Sequence, residues 1–540
     1  MTEPLANDPI HWRVGPNTTW STVNTAEAMP GVNTPLGWTW WADALELGMR
    51  GCFCDIGVLK PSQIVASEIP EERFSVIFYG RFVANIDQMR MVGDLMLGSS
   101  GDAVEEQIFG SVPEPGKTKS SARRYPVVAV KMPLAMRQVP KRLKRMRAEY
   151  TPWWRSNTSA EAFADGPGAP RRMADARQHF QAVMRPHSVA TMLGQAMYEQ
   201  VHSLAESAGL AGLETSLITG YGEMEEAEAA ADLWDVSRGE MEMDQFVAEH
   251  GFHGPSEGAL QSRSWREDDT PLRKLVETYR TMGDDQSPRM VMEQRRTSRL
   301  EAEKQLLAAT PRLRRGGARV VLKLASTFIP LREVGKASFL QAIDVGRSAA
   351  RSYGAHLVET GVLDDPEDVF YLTYDEVQGQ LPPDPREVVA ARRAKREEYL
   401  GLRLADDRWT GEPEAVAIET GDGAARSDTL EGMAVSPGEV QGPARVVMDP
   451  DAGIEIEPGE VLVCQTTDPS WASYFLVASA LVIDIGGAMS HGAIVARELG
   501  IPCVINTRTG TSSISTGDLL RVDGGSGKVE VIERASEPVH

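Results

Sequence analysis

Residues 484–502 read DIGGAMSHGAIVARELGIP and carry the clearest local signal in this chain. The pattern predicts a strand that ends near Asp484, a turn through two glycines, and a helix that begins at Ser490-His491. Gly500 and a proline two residues later predict the end of that helix. Strand, tight turn and helix in direct succession indicate an α/β domain.

The turn before this helix has the composition of an anion site. Gly486 and Gly487 have no Cβ, so the backbone can approach a phosphoryl group closely. The first-turn amides and the helix dipole favour negative charge at the same place. His491 adds an imidazole nucleophile, and a covalent phosphohistidine would divide one difficult transfer into two easier steps. The pattern alone also allows an inert histidine at a helix start.

Short segments rich in Val and Ile surround this turn and have the length of strands. They are Val440–Val447, Glu460–Thr466, Ala480–Ile485, Pro502–Asn506, Leu519–Val522 and Lys528–Ile532. A further helix is predicted to begin at Asp468-Pro469-Ser470, because Asp is a good N-cap and Pro suits the first helical position. We therefore predict a small α/β domain over residues 432–536.

The region before this domain has a different character. Residues 1–404 are predicted to be mainly helical; from Phe339 to Leu357, apolar residues recur every four and three positions, as on one buried helix face. Residues 73–88 predict a small β element with two strands meeting at Gly80. Residues 405–431 lack periodicity and are rich in Asp, Gly, Glu and Thr, which predicts a flexible linker with a span of roughly 30 Å.

Composition limits the classes of partner. The formal net charge of -21 would repel nucleic acid and anionic membranes, which are bound through clustered Lys and Arg. The N-terminus has no signal-peptide pattern, and no apolar run approaches the roughly 18 residues of a membrane span. Cys52-x-Cys54 has no second pair at zinc-ligand spacing. We predict a cytoplasmic multidomain protein with no nucleic-acid partner, no membrane partner and no metal site.

The C-terminal segment closely resembles the swivelling phosphohistidine domain of the phosphoenolpyruvate-utilising phosphotransferase family. The matching residues are Thr466–Pro469, Gly486-Gly487, Ser490-His491, Ala493–Pro502, Gly517-Asp518 and Val522–Gly524. The resemblance implies that His491 carries the phosphate, that Gly486 and Gly487 bind it, and that Thr467 and Ser490 act beside it.

Earlier segments resemble the acceptor-binding region of rifampicin phosphotransferase and the matching subunit of phenylphosphate synthase-type two-subunit enzymes. They are residues 27–36, 80–85, 250–257, 329–336 and 365–376. Within them, His253 is the candidate base for an acceptor hydroxyl, and Glu257 is a candidate substrate-binding residue. Arg332 and Lys336 are four residues apart and could clamp a phosphoryl group from one helix face. Each pair could instead be a structural hydrogen bond or a solvated charge pair.

The resemblance also sets expectations about the donor. No ATP-grasp-like segment precedes Met29, no phosphoenolpyruvate-binding barrel follows Ile532, and no GxxxxGK[ST] loop is present. We therefore expect ATP and Mg²⁺ to be bound by a separate ATP-grasp subunit, with no tightly bound cofactor in this chain. ATP and phosphoenolpyruvate both remain open as the ultimate donor.

The predicted function is that of an ATP-dependent phosphotransferase subunit. It would transfer phosphate from His491 to the hydroxyl of a small substrate, phenolic or otherwise apolar. A phosphocarrier that serves another protein and a non-catalytic binding subunit remain as alternatives.

Overall fold

The computed structural model describes residues 8–23, 25, 29, 31–210, 212–222, 225–418, 427–448, 456–467, 471–487 and 490–535, without the side chains of residues 472, 473 and 491. The chain divides into two compact units. One comprises Met1–Ala190, Gly258–Ser262 and Gly335–Thr420, and the other Thr191–Glu257, Arg263–Val334 and Gly421–His540. Each unit is therefore assembled from stretches that are far apart in sequence.

The first unit is mainly helical, as predicted. Its helices are α1 (Pro35–Asp55), α2 (Ile86–Leu95), α3 (Gly101–Phe109), α4 (Tyr125–Asn157), α5 (Ala160–Ala164), the first part of α6 (Ala169–Ser207), the second part of α12 (Arg315–Glu359), α13 (Tyr374–Gln378) and α14 (Pro385–Leu400). Helix α1 begins where sequence rules place it, because Thr34 accepts a hydrogen bond from the Gly37 amide at 3.2 Å and Pro35 opens the first turn.

The small β element of this unit is a sheet with strand order β2-β3-β1-β5, in which neighbouring strands are antiparallel. The strands are β1 (Thr19–Ser21), β2 (Ser75–Phe78), β3 (Arg81–Asn85) and β5 (Arg408–Thr410), and a separate pair joins β4 (Leu402–Leu404) to β6 (Ala415–Ala417). The predicted turn at Gly80 is confirmed. Gly80 has φ +73°, and a Cβ there would lie 2.4 Å from Val32 Cγ1.

The second unit contains a helical part and the C-terminal α/β region. Its helices are α7 (Glu214–Leu217), α8 (Glu225–Arg238), α9 (Met243–His250), α10 (Thr270–Thr281), α11 (Pro288–Ala309), α15 (Ala472–Phe475), α16 (His491–Leu499) and α17 (Gly510–Ser513), with the remaining parts of α6 and α12. Its strands are β7 (Thr429–Glu431), β8 (Met433–Ser436), β9 (Glu439–Val447), β10 (Val461–Cys464), β11 (Ala480–Ile483), β12 (Cys503–Ile505), β13 (Leu519–Asp523) and β14 (Lys528–Glu533).

These strands form one mixed sheet with the order β7-β14-β13-β9-β10-β11-β12-β8. The central strands β9 to β12 are parallel, and Val463 pairs with Val446 on one side and with Val482 on the other. Every residue of β10, β11 and β12 is buried. Both faces of the sheet centre are covered, which explains why the sequence shows continuous apolar runs rather than alternation. The six predicted strands are confirmed, whereas the helix start at residues 468–470 lies outside the described residues.

One apolar core joins the C-terminal sheet to the helices that precede it. Trp234, Phe246 and Trp265 belong to the same buried cluster as Leu481 and Ala493. The helical residues 225–282 and the C-terminal α/β region therefore share a core within this unit. Local periodicity could not indicate this, because the covering helices lie some 200 residues earlier in the chain. The domain boundaries at 404/405 and 431/432 stay a prediction.

The stretch 405–431, predicted as a flexible linker, contains three short strands in its described part. Strand β5 pairs with β1, with Trp409 opposite Trp20, while β6 pairs with β4 and β7 with β14. Pairing with distant strands supplies order that the local sequence does not indicate. Residues 419–426 of the predicted linker lie outside the described residues.

A helix that spans a membrane must be both long and apolar. In the described part of the chain, no helix combines enough length with enough apolar character for a transmembrane segment.

Candidate functional site

The predicted phosphohistidine turn joins β11 to α16. The Ser490 amide donates to the Gly487 carbonyl at 2.9 Å, and the Ile494 amide donates to the Ser490 carbonyl at 3.1 Å. Ser490 is the extended N-cap residue, and α16 begins at His491 and ends before Gly500, which has φ +75°. The predicted helix boundaries are confirmed, and the backbone of His491 lies in the first turn of α16, where helix amides favour an anion.

The two glycines of this turn have different surroundings. A Cβ on Gly486 would lie 2.3 Å from Ile505 Cδ1 and 3.0 Å from Ser490 Oγ. A Cβ on Gly487 would meet no described heavy atom within 4 Å. Close packing thus disfavours a side chain at Gly486, whereas no described atom lies within contact distance of a Cβ on Gly487.

Thr467 and Ser490 both lie at the start of α16. Thr467 is buried, and a Cβ on Gly492, the residue after His491, would lie 2.8 Å from Thr467 Oγ1. Ser490 is buried as well, and its Oγ lies near Gly486. The structure therefore brings Thr467, Ser490 and Gly486 together around the predicted carrier residue, and their catalytic roles stay a prediction.

Asp484 positions the loop that follows β12. Its buried carboxylate accepts hydrogen bonds from Thr507 Oγ1 at 2.7 Å, from the Thr511 amide at 2.9 Å and from Thr511 Oγ1 at 2.5 Å. This role was not predicted. The sequence did contain a sign of it, because a carboxylate at the end of a buried strand needs hydrogen-bond partners.

His253 and Glu257 form a buried pair in the segment after α9. His253 Nδ1 lies 2.8 Å from Glu257 Oε2, and each side chain is only 2% exposed. The imidazole ring lies 4.3 Å from the Phe252 ring and 5.6 Å from the Trp265 ring, measured between centroids. The carboxylate and the aromatic neighbours fix the orientation of the imidazole, as a histidine that serves as a base requires.

His250 extends this pair into a larger polar cluster that was not predicted. His250 Nε2 lies 2.8 Å from Asp232 Oδ2, and His250 Nδ1 lies 4.0 Å from Glu225 Oε1. One ligand atom from each of Glu225, His250 and His253 lies within 4.8 Å of the other two. The spacing of His250 and His253, three residues apart, was the sign of this cluster in the sequence. Its acidic residues could not be inferred in this way, because Glu225 and Asp232 lie in helix α8.

Arg332 and Lys336 both lie in α12 and are half-buried, which confirms the predicted helix but not a shared role. Arg332 Nε lies 3.0 Å from Glu333 Oε1. Burial lowers the pKa of the Arg497 guanidinium, and the positive charge of Arg332 adds to that effect, so Arg332 lies within electrostatic reach of the last turn of α16. Lys336 belongs to the other compact unit.

Helix α16 also makes a polar contact with the helical part of its own unit. Both carboxylate oxygens of Glu498 accept a hydrogen bond from the Gly220 amide, at 3.1 and 3.0 Å. Burial raises the pKa of the Glu498 carboxyl. The helix that begins at His491 is therefore docked on residues from the 191–334 region through both this contact and the shared apolar core.

Two family models match parts of the chain. Residues 456–527 match the mobile domain of PEP-utilising enzymes, and residues 179–333 match the fourth domain of rifampicin phosphotransferase. The first segment contains Thr467, Gly486, Gly487, Ser490 and His491. The second contains His253, Glu257 and Arg332, and Lys336 lies just beyond it.

Curated relatives agree with these matches. An uncharacterized protein of Mycobacterium tuberculosis is 35% identical over 291 residues, which cover 53% of this chain and 31% of that protein. An uncharacterized phosphotransferase of Bacillus subtilis, YvkC, is 38% identical over 192 residues, covering 34% and 23%. The rifampicin phosphotransferase of Streptomyces sviceus is 35% identical over 212 residues, covering 38% and 24%.

These findings confirm the resemblance to phosphoenolpyruvate-utilising phosphotransferases, and the relatives' names support the predicted enzyme class. This chain spans less than a third of the length of each of these relatives.

Proposed function

We propose that this chain is a phosphotransferase subunit that carries a phosphoryl group on His491 and delivers it to the hydroxyl of a small phenolic or otherwise apolar molecule. We further propose that ATP and Mg²⁺ are bound by a separate ATP-grasp subunit. The observation that carries the proposal is the docking of α16 within one compact unit on the region that contains the buried His253–Glu257 pair.

The first half-reaction loads the histidine. An imidazole nitrogen of His491 attacks the β-phosphorus of ATP, the N–P bond forms, and AMP leaves as the bond between Pβ and the α-phosphate oxygen breaks. Water then removes the γ-phosphate as inorganic phosphate, which leaves one phosphoryl group on the ring. Mg²⁺ would neutralise charge on the transferring oxygens. The glycine turn and the first-turn amides of α16 favour the phosphoryl group at this position.

The second half-reaction unloads it. The acceptor hydroxyl attacks the phosphorus, the N–P bond breaks, and the hydroxyl proton passes to a base. His253 has the features of that base, since Glu257 holds its Nδ1 at 2.8 Å and so directs the opposite nitrogen away from the carboxylate. In this proposal the docked arrangement is the unloading state, and reaching the donor subunit requires α16 to leave the helices.

A labelling experiment tests the proposal. The chain is incubated with a candidate ATP-grasp subunit, Mg²⁺ and ATP that is labelled at the β- or the γ-phosphate. We expect the wild-type chain to acquire acid-labile label from the β-phosphate and the His491→Ala variant to acquire none. The two proteins should have the same circular dichroism spectrum, which shows that the variant is folded. Label retained by His491→Ala would overturn the assignment of the carrier residue.

Addition of acceptors separates the remaining functions. Discharge of the label onto a phenol supports the enzyme, and discharge only onto a second protein supports the phosphocarrier. Loading by phosphoenolpyruvate in place of ATP would overturn the ATP-grasp part alone. A correctly folded chain that is never labelled would favour a non-catalytic binding subunit.

A further inference from the structure

We propose that Glu225, His250 and His253 form a binding site for one divalent transition-metal ion, with Zn²⁺ as the ion that best suits these ligands. One ligand atom from each of the three residues lies within 4.8 Å of the other two. All three belong to the same compact unit, so the site does not depend on the arrangement of the two units.

Two carboxylates orient the histidines from outside the cluster. Asp232 Oδ2 lies 2.8 Å from His250 Nε2, and Glu257 Oε2 lies 2.8 Å from His253 Nδ1. Metal-binding histidines almost always use their second ring nitrogen in this way, which fixes the tautomer and raises the basicity of the ligating nitrogen. Here both second nitrogens are engaged, so His250 offers Nδ1 and His253 offers Nε2 to an ion.

The environment of His250 Nδ1 gives an independent sign of a ligand. The His250 side chain is 7% exposed, and its Nδ1 makes no hydrogen bond with any described residue. The nearest carboxylate oxygen, Glu225 Oε1, lies 4.0 Å away, which is too far for a hydrogen bond. A buried ring nitrogen in this state is costly, and an ion between it and the Glu225 carboxylate would give His250 Nδ1 a partner.

Spacing and charge fit a divalent ion. Two ligands of a tetrahedral zinc ion lie roughly 3.4 Å apart, so the 4.0 Å separation closes with a shift of about half an ångström. Four carboxylates lie beside the two histidines, those of Glu225, Asp232, Glu249 and Glu257. Arg289 offsets part of this charge by pairing with Asp232 at 2.7 Å. Two imidazoles and one carboxylate are the protein ligands of a known class of zinc sites that keep a further position open.

The site shares His253 with the proposed phosphotransfer, but zinc binding itself requires no phosphohistidine. An ion bound at this site would use His253 Nε2 as a ligand, and that nitrogen could not then act as the base proposed for the acceptor hydroxyl. Glu225→Gln distinguishes the two roles, because it removes a ligand and leaves the His253–Glu257 hydrogen bond in place.

The full chain, stripped with a chelator and dialysed, is titrated with Zn²⁺ by calorimetry, and bound metal is counted by mass spectrometry. We expect about one Zn²⁺ per chain, with His250→Gln and Glu225→Gln each weakening binding by at least about 10-fold. Cobalt substitution should give the visible absorption of a tetrahedral site, and this absorption should disappear in both variants.

His202→Gln is the matched control. His202 also has two carboxylates nearby, Glu206 at 3.6 Å and Glu214 at 3.9 Å, but its side chain is 41% exposed. Zinc binding that is unchanged by Glu225→Gln and His250→Gln but lost in His202→Gln would overturn the proposal, as would a folded wild-type chain that binds no zinc. Failure of phosphohistidine labelling with intact zinc binding would overturn the proposed function alone.

Discussion

Two histidine-bearing regions of the second unit are built on opposite principles. The turn before α16 relies on backbone groups, namely two glycines and the first amides of the helix. The buried Asp484 carboxylate supports it from outside by holding a neighbouring loop. The cluster around His250 and His253 uses side chains, and one nitrogen of each ring lies 2.8 Å from a carboxylate oxygen. The first region suits a group that is gained and lost, whereas the second suits groups that stay fixed.

The difference shows how sites with different tasks are supported. A phosphoryl carrier needs donors for an anion that is present only part of the time, and backbone amides provide these without a compensating charge. The buried cluster instead holds its histidines with carboxylates, because unpaired buried charges are costly. The regions can therefore be tested separately, by substitutions that disturb one and leave the other intact.

The largest expected effect connects the two regions through the second half-reaction. His253→Gln should leave loading of His491 unchanged and slow discharge to the acceptor by about 10²- to 10⁴-fold, the usual contribution of a general base. The measurement is single-turnover discharge of preloaded protein. Glu257→Gln serves as the control, because an amide oxygen can still hold Nδ1 and should cost less. Equal discharge rates in His253→Gln and the wild type would remove the buried pair from the reaction.

A smaller effect is expected at the outer carboxylate of the cluster. Asp232→Asn should weaken zinc binding by about 10- to 100-fold, because the orienting partner of His250 loses its charge. Asp235→Asn is a close control, since Asp235 also pairs with Arg289, at 2.5 Å, and has no hydrogen bond to His250 among those described. Calorimetric titration of both variants checks the prediction, and equal affinities would contradict it.

Alanine substitutions at the two glycines of the turn should have different effects. The change at Gly486 should affect stability, and the change at Gly487 should affect phosphate loading. Gly486→Ala should lower the free energy of unfolding by about 1–3 kcal/mol, because its Cβ would lie 2.3 Å from Ile505 Cδ1. Gly487→Ala should leave stability unchanged and reduce phosphate loading, since its Cβ would meet no described atom within 4 Å and would lie where the phosphoryl group is proposed to bind. Urea unfolding and labelling of both variants test this, and identical behaviour of the pair would contradict it.

The smallest expected effect concerns pH and the docking of α16. Burial raises the pKa of the Glu498 carboxyl above the value of 4.5 for an exposed glutamate. The folded protein therefore holds this proton more tightly, and the stability gained from it is complete below pH 4.5 and lost as pH rises through the folded-state pKa. Glu498→Gln should flatten this dependence by on the order of 1 kcal/mol. The measurement is the urea midpoint of the wild type and of Glu498→Gln across that pH range. The same pH dependence of the midpoint in both proteins would contradict the prediction.

Local sequence was sufficient wherever a feature is built from neighbouring residues. Strands β9 to β14, the turn at Gly80 and the boundaries of α16 follow from apolar runs, glycines and capping residues. The strands inside 405–431 could not be predicted, because β5 owes its order to pairing with β1, almost 400 residues earlier. The spacing of His253 and Glu257 suggested a pair, and the structure brings them into contact.

The sequence by itself determined the strand and the helix start on either side of the predicted phosphohistidine turn, since these need only short-range backbone preferences and hydrogen bonds. Only the tertiary structure decided which helices cover the C-terminal sheet and which carboxylates reach His250. Those contacts join residues of different helices, and burial of apolar surface selects them without a local pattern. Glu225 and Asp232 therefore carry no signal in sequence, yet folding places both beside His250.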